Sequence, residues 1–273
     1  MRTTPGRLAR PFGDLYYEVT GEGPPLIFAH GLGGNHLSWW QQIAHFGTTH
    51  ACVTFAHRGF APSDAVAGGP EPADYAGDLA ALITHLGLER PVLVAQSMGG
   101  WTCVDHALAN PETIAGLMLA CTTGSLDFRQ AKTDIADDLA RWQARVDATT
   151  PRWAEAGISP ACGEAFARRD PARHELYKSI DRLNASLDKA QVRERIWEAR
   201  RRPPSDLAAL DCPVLFLAGA DDLVIPACGL EAVSAHARNG RFVCVPDAGH
   251  SVYFEHPDRF NAELEALIAE ASR

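Results

Sequence analysis

Short apolar runs alternate with helical patterns along most of this chain. The runs fall at residues 26–29, 52–55, 92–95, 117–120, 214–218 and 241–245. Apolar continuity over so short a stretch is what a strand buried on both faces requires. Patterns with a 3.6-residue period lie at about 39–45, 75–86, 98–109, 229–237 and 257–271. Such alternation predicts an α/β fold with a mostly parallel central sheet and helices on both faces. Ahead of it, residues 6–12 and 14–20 are joined through Gly13, and Leu15-Tyr16-Tyr17-Glu18-Val19 alternates. That pattern predicts an antiparallel hairpin.

One block breaks the rhythm. Residues 122–205 contain no strand pattern, only helical, Arg/Ala-rich sequence broken by Thr150-Pro151, Ser159-Pro160, Asp170-Pro171 and Pro203-Pro204. The expected organisation is therefore a core of residues 1–121 and 206–273 with a helical insertion at 122–205. The insertion holds 16 Lys+Arg against 13 Asp+Glu, so its charge of +3 leaves −12 on the rest of a chain of net charge −9. Its arginines read as solvated helix faces. Its aromatic residues Phe128, Trp142, Trp153, Phe166, Tyr177 and Trp197 exceed what a solvated hairpin needs. They mark the block as a lid over a pocket.

At 273 residues the chain fits one α/β domain, and 46% apolar with 22% charged residues is ordinary globular composition. The net negative charge argues against nucleic acid as partner. No run approaches the ~18 apolar residues of a membrane span. The first residues, Met1-Arg2-Thr3-Thr4-Pro5-Gly6, do not resemble a secretory leader. Seven scattered cysteines, none in CxxC spacing, fit free thiols in a reducing compartment, so a cytoplasmic location is expected. Nothing in the pattern specifies an oligomeric state.

The chemistry centres on Ala95-Gln96-Ser97-Met98-Gly99, where an apolar strand runs straight into a helical pattern. A sharp strand-to-helix turn lifts the serine hydroxyl off the sheet and aims free helix N–H groups at the same spot. Ala95 stands where the G-x-S-x-G motif has its first glycine. A serine needs a base and a group that orients the base. Of eleven histidines, His250 is the best placed, in the loop that follows the last strand pattern. His57 follows another strand and is a second pocket candidate, while His256, before Pro257, reads as structural. The orienting acid is one of the adjacent pair Asp221 and Asp222, again beyond a strand pattern. His30-Gly31-Leu32-Gly33-Gly34 supplies a loop whose backbone N–H can pair with that of Met98 around an oxyanion. Phosphate-cradle motifs and paired Cys/His metal spacing are both missing from the sequence, so neither a metal nor another cofactor is expected.

With these pieces the chain resembles the α/β-hydrolase fold family over essentially its full length. The resemblance rests on His30-Gly31, Arg58-Gly59-Phe60-Ala61-Pro62-Ser63-Asp64, the turn at Ser97, residues 219–226, and Ala248-Gly249-His250-Ser251. It implies Ser97 as nucleophile, His250 as base and Asp222 as acid, with Leu32 and Met98 as oxyanion donors. His30, Gly31, Trp153 and Phe166 are the expected pocket residues. The implied activity is cofactor-free hydrolysis of a small carboxylic ester or lactone. Hydrolysis of a C–C bond in a diketone-type ring-cleavage product is the alternative chemistry. Small-molecule reception on the same fold is the alternative without chemistry. Where the family commonly has Asp ahead of Arg-Gly, this chain has His57.

Overall fold

The computed structural model describes residues 1–131 and 134–273. Its strands are β1 (Thr3–Arg10), β2 (Gly13–Thr20), β3 (Pro25–Ala29), β4 (Ala51–Phe55), β5 (Val92–Gln96), β6 (Gly116–Ala120), β7 (Val214–Gly219) and β8 (Gly240–Val245). They form one sheet in the order β1-β2-β4-β3-β5-β6-β7-β8. The hairpin β1–β2 joins β4 antiparallel, and every other pairing is parallel. The six apolar runs each form a strand within a residue of the expected bounds, because inside the sheet such a run has few other ways to bury both faces; β8, at the sheet edge, stays partly exposed. The hairpin is present too, but β1 starts three residues ahead of the expected 6–12, and Gly13 opens β2 after a turn at Pro11-Phe12.

Successive side chains of each strand point to opposite faces, and the two faces carry separate cores. On one side Ile27, Ala29, Val53, Leu93, Ala95, Leu117 and Phe216 pack with α2 (Tyr75–Leu86), α3 (Gly99–Ala109) and α8 (Ala227–Ser234). On the other, Leu26, Phe28, Val94, Met118, Leu215 and Leu217 pack with α1 (Trp40–Phe46) and α10 (Pro257–Ala271). Helix α8 lies upstream of the expected 229–237: it starts straight after Pro226, which holds the N-cap position in extended backbone (φ −68°, ψ 130°).

Between β6 and β7 stand α4 (Ala136–Glu155), α5 (Glu164–Arg169), α6 (Pro171–Arg182) and α7 (Lys189–Glu198). The two ends of this helical segment meet at its base. Leu126 and Arg202 form a parallel bridge, with the Asp127 N–H donating to the Arg202 carbonyl at 2.8 Å and the Arg202 N–H to the Ser125 carbonyl at 3.0 Å. A short helix α9 (Val252–Glu255) precedes α10. No helix among the described residues is long and apolar enough to cross a membrane.

The order β4-β3-β5 places the chain's change of direction between β3 and β5. Ligands in open α/β sheets gather beyond the carboxyl ends of strands at such a point. The loops that leave β3 and β5 there carry Leu32 and Ser97.

Candidate active site

Ser97 follows β5 directly and has φ +49°, a left-handed conformation uncommon for a residue with a side chain. Its N–H donates to the Ala120 carbonyl at 3.1 Å, and its carbonyl accepts from the Gly100 N–H at 2.9 Å, which together hold the turn. Gly99 has no room for a side chain: a Cβ there would lie 2.2 Å from the Ala29 carbonyl oxygen. Ala95 fits without glycine because its neighbour across β3 is another alanine, Ala29. Its methyl is fully buried.

The loops after β7 and β8 bring two further groups to the serine. His250 Nε2 lies 2.8 Å from Ser97 Oγ, and His250 Nδ1 lies 2.8 Å from Asp222 Oδ2. Asp222 is 1% exposed, and its other oxygen accepts from the Val224 and Ile225 N–H groups at 2.7 and 3.0 Å. That oxygen is thereby satisfied, leaving Oδ2 for the imidazole. Asp221 instead faces outward, with Arg145 Nη1 3.4 Å from its Oδ1. Of the two adjacent aspartates, only Asp222 is in contact with His250.

The main chain around His250 is fixed from three directions. Gln96 Nε2 donates to the His250 carbonyl at 2.9 Å. The buried carboxyl of Glu255 accepts from the N–H groups of Gly249, Ser251 and Gly163, at 2.9, 3.0 and 3.0 Å, so it binds the histidine loop to the helical insertion. Desolvation raises that carboxyl to about 7, against the pull of the three donors. Glycine is again required here, since a Cβ on Gly249 would lie 2.2 Å from the Gly163 nitrogen. From the insertion, Trp142 Nε1 donates to the Asp222 carbonyl at 2.8 Å.

A cavity of about 550 Å³ opens over Ser97 and His250. Leu32 and Met98 line it, and among the described residues the N–H of neither donates to a protein acceptor. Its other walls include Trp101 and Ile225 from the core and Tyr177, Ile196 and Trp197 from the insertion. Arg200, expected on a solvated helix face, is instead buried in this wall at 2% exposure.

Four expected pocket residues lie elsewhere. Trp153 and Phe166 are absent from the lining. Trp153 is buried behind it with Ile158, Ala167 and Leu223 and donates to Glu164 Oε2 at 3.1 Å. Phe166 is fully buried, edge-on to Phe254, and belongs to the core between the insertion and α9. Their aromatic character serves packing, and the faces they use are fixed by tertiary contacts. His30 and Gly31 lie beneath the cavity. His30 is fully buried; its Nδ1 is 2.8 Å from the Gly31 carbonyl, and its Nε2 accepts from the His57 N–H at 2.9 Å. Burial pushes its pKa down to about 3. His57 is also buried, with Nε2 2.8 Å from Thr102 Oγ1, so it supports the floor and does not reach the lining.

The donor atoms of Cys121, Asp222 and His250 lie within 4.8 Å of one another. Burial raises the Cys121 thiol well above its ordinary value, which keeps it protonated, and the imidazole already engages Ser97 and Asp222. Cys121 Sγ donates instead to the Gly249 carbonyl at 3.8 Å, apart from the Ser97, His250 and Asp222 contacts.

The chain belongs to the alpha/beta hydrolase fold family, whose pattern matches residues 24–257. It is 30% identical over 266 residues to a Mycobacterium tuberculosis protein named as non-heme bromoperoxidase BpoC, covering 94% of this chain and 98% of that one. It is 28% identical to 3-oxoadipate enol-lactonase 2 of Acinetobacter baylyi over 93% of this chain and 92% of the relative. Among solved structures, a thermophilic esterase from Thermogutta terrifontis superposes with a TM-score of 0.75 at 26% identity, covering 98% and 99% of the two chains.

Proposed function

We propose that this protein is a cofactor-free serine hydrolase acting on a small carboxylic ester or lactone. The observation that carries the reading is the continuous chain Ser97 Oγ, His250, Asp222, with both contacts at 2.8 Å at the floor of a cavity. A relative named as an enol-lactonase and a structural neighbour named as an esterase support the substrate class.

In this reading Asp222 keeps the Nδ1 proton of His250 in place, so Nε2 accepts the Ser97 proton as Oγ attacks the carbonyl carbon. The developing oxyanion takes the N–H groups of Leu32 and Met98, where loss of one such donor costs about 3–4 kcal/mol. His250 then returns the proton to the leaving oxygen, giving an acyl-serine and the free alcohol, or the ring-opened hydroxyl of a lactone. Water, deprotonated by the same imidazole, releases the acid and restores Ser97. The helical insertion acts as a lid: its residues Tyr177, Ile196 and Trp197 wall the cavity and shape the acyl or alcohol pocket.

The test is hydrolysis of nitrophenyl esters and simple lactones, followed from the first turnover. An initial burst of nitrophenol equal to the enzyme concentration is expected for an acyl-enzyme path. Absence of turnover on every ester and lactone, with diketone cleavage present, would replace this reading with C–C bond hydrolysis.

A further inference from the structure

Arg200 is the most unusual side chain of the cavity. It is 2% exposed, yet its guanidinium meets no carboxylate among the described residues. Its Nε and Nη1 are sealed and have no hydrogen-bond acceptor among the described residues. The carboxylate whose field reaches it, Asp127, is already held by Arg129 and Gln130. A buried guanidinium without a partner is costly, because its lost hydration is not replaced.

Three aromatic rings offset part of that cost. The guanidinium carbon lies 4.3 Å from the Trp197 ring centre, 4.9 Å from Trp101 and 5.4 Å from Phe128. Such contacts engage the π-face of a ring with the charge, but they leave the in-plane N–H fork without an acceptor. Arg200 also lines the cavity that holds Ser97 and His250.

The remaining charges of that cavity have the same sign. Its charged side chains besides His250 are Asp181, Lys189, Arg193 and Arg200. Asp181 and Lys189 neutralise each other at 2.7 Å. Arg193 is exposed and makes no ion pair or side-chain hydrogen bond among the described residues. Two guanidinium groups of the cavity, one buried and one exposed, are therefore without an acid partner among the described residues of a protein of net charge −9. Elsewhere in the insertion arginines do find carboxylates, as Arg173 does with Asp170 and Arg202 with Asp105.

We propose that Arg200, assisted by Arg193, forms an anion subsite in the active cavity and that the substrate is an ester or lactone bearing a free carboxylate. The inference rests on the hydrolase reading above. Nη2 is the Arg200 nitrogen that is not sealed, and a carboxylate meeting it there makes a charge-assisted hydrogen bond. A monoanion suits this wall better than a phosphate dianion, whose desolvation among Trp101, Ile196 and Trp197 costs far more. The carboxylate seats on Arg200 while the reacting carbonyl lies at Ser97, so the subsite orients the acyl chain or its leaving group.

The test compares nitrophenyl monoesters of glutaric and adipic acid with nitrophenyl esters of pentanoic and hexanoic acid at low salt. Wild type should favour the acid esters in kcat/KM by about tenfold or more, as expected for a charge-assisted contact. The acid-to-neutral ratio should fall by about tenfold or more in Arg200→Met and by a smaller factor in Arg193→Gln. Adipate alone should bind and quench tryptophan fluorescence from Trp101 and Trp197, with inorganic phosphate binding more weakly. Circular dichroism establishes that Arg200→Met is folded; if it is not, Arg193→Gln and the wild-type adipate titration carry the test. No preference for acid esters together with no adipate binding overturns the subsite, as does tighter binding of phosphate. If neither ester series is hydrolysed but adipate binding disappears in Arg200→Met, the subsite stands and the hydrolase reading falls.

Discussion

The side-chain amide of Gln96 donates to the main-chain carbonyl of His250 at 2.9 Å, tying the residue before the serine to the histidine that faces it. The bond joins the end of β5 to the loop after β8, which meet only in the folded protein. Gln96→Leu keeps the volume but leaves a buried carbonyl without its donor, a loss of about 1–3 kcal/mol. The expected result is a kcat lowered several-fold to a hundredfold, with His250 mispositioned relative to Ser97. Steady-state kinetics on a nitrophenyl ester, beside a thermal melt, measure both effects.

Asp222 and Asp221 should respond very differently to the same change. Asp222→Asn removes the carboxylate at His250 Nδ1 and favours the wrong imidazole tautomer, so a fall in kcat of about three to four orders of magnitude is expected. Asp221→Asn alters an outward-facing side chain beside Arg145 and should change kcat by less than about twofold. Reversed effects would assign the acid to Asp221.

His30 should remain neutral far into acid. Protonation would bury a cation and break the bond that Nε2 accepts from the His57 N–H. Its folded pKa is pushed down to about 3 by burial, whereas in the unfolded chain it titrates near an ordinary 6.5. Between those values the unfolded chain holds the extra proton, so this group's stabilisation is complete above pH 6.5 and is lost as pH falls through the window. A proton NMR titration, with the His30 resonance assigned from a His30→Gln spectrum, should show no titration of His30 down to about pH 5. A midpoint near 6 would contradict the buried neutral assignment.

Two tryptophans of the insertion should separate stability from selectivity. Trp153 is 5% exposed and lies outside the cavity lining, so Trp153→Ala should cost about 3–5 kcal/mol of stability. The relative kcat/KM values across an ester chain-length series should stay as in wild type. Trp197 is 40% exposed and lines the cavity, so Trp197→Ala should alter that series with a smaller loss of stability. Urea unfolding and the ester series together decide the matter.

The strands and the serine turn were readable from the chain because each is a local event. A run such as Val92-Leu93-Val94 can only be buried, and Ser97-Met98-Gly99 can only turn sharply if glycine follows. His250 was readable because parallel strands deliver their following loops to one edge. What periodicity could not supply was direction within the insertion. Trp153, Phe166 and Trp197 carry the same apolar signal, yet only tertiary packing decides that Trp197 meets the cavity and the others do not. The burial of Arg200 is not legible for a related reason: Arg200-Arg201-Arg202 is a charge run in one dimension, and its first member is buried by Trp101 and Phe128 from distant segments. Helix α9 leaves no periodic signal, because four residues are too few to show one. Gln96 stood beside Ser97 in plain view, but its partner is 154 residues away.

The most direct test of the account is where a fluorophosphonate probe attaches. Wild type should take one probe molecule, found by peptide mass spectrometry on Ser97, with loss of ester turnover in step with labelling. Ser97→Ala should remain folded by circular dichroism, take no label and hydrolyse no ester above background. Labelling at another residue, or turnover retained by folded Ser97→Ala, would contradict the assignment of Ser97 as nucleophile.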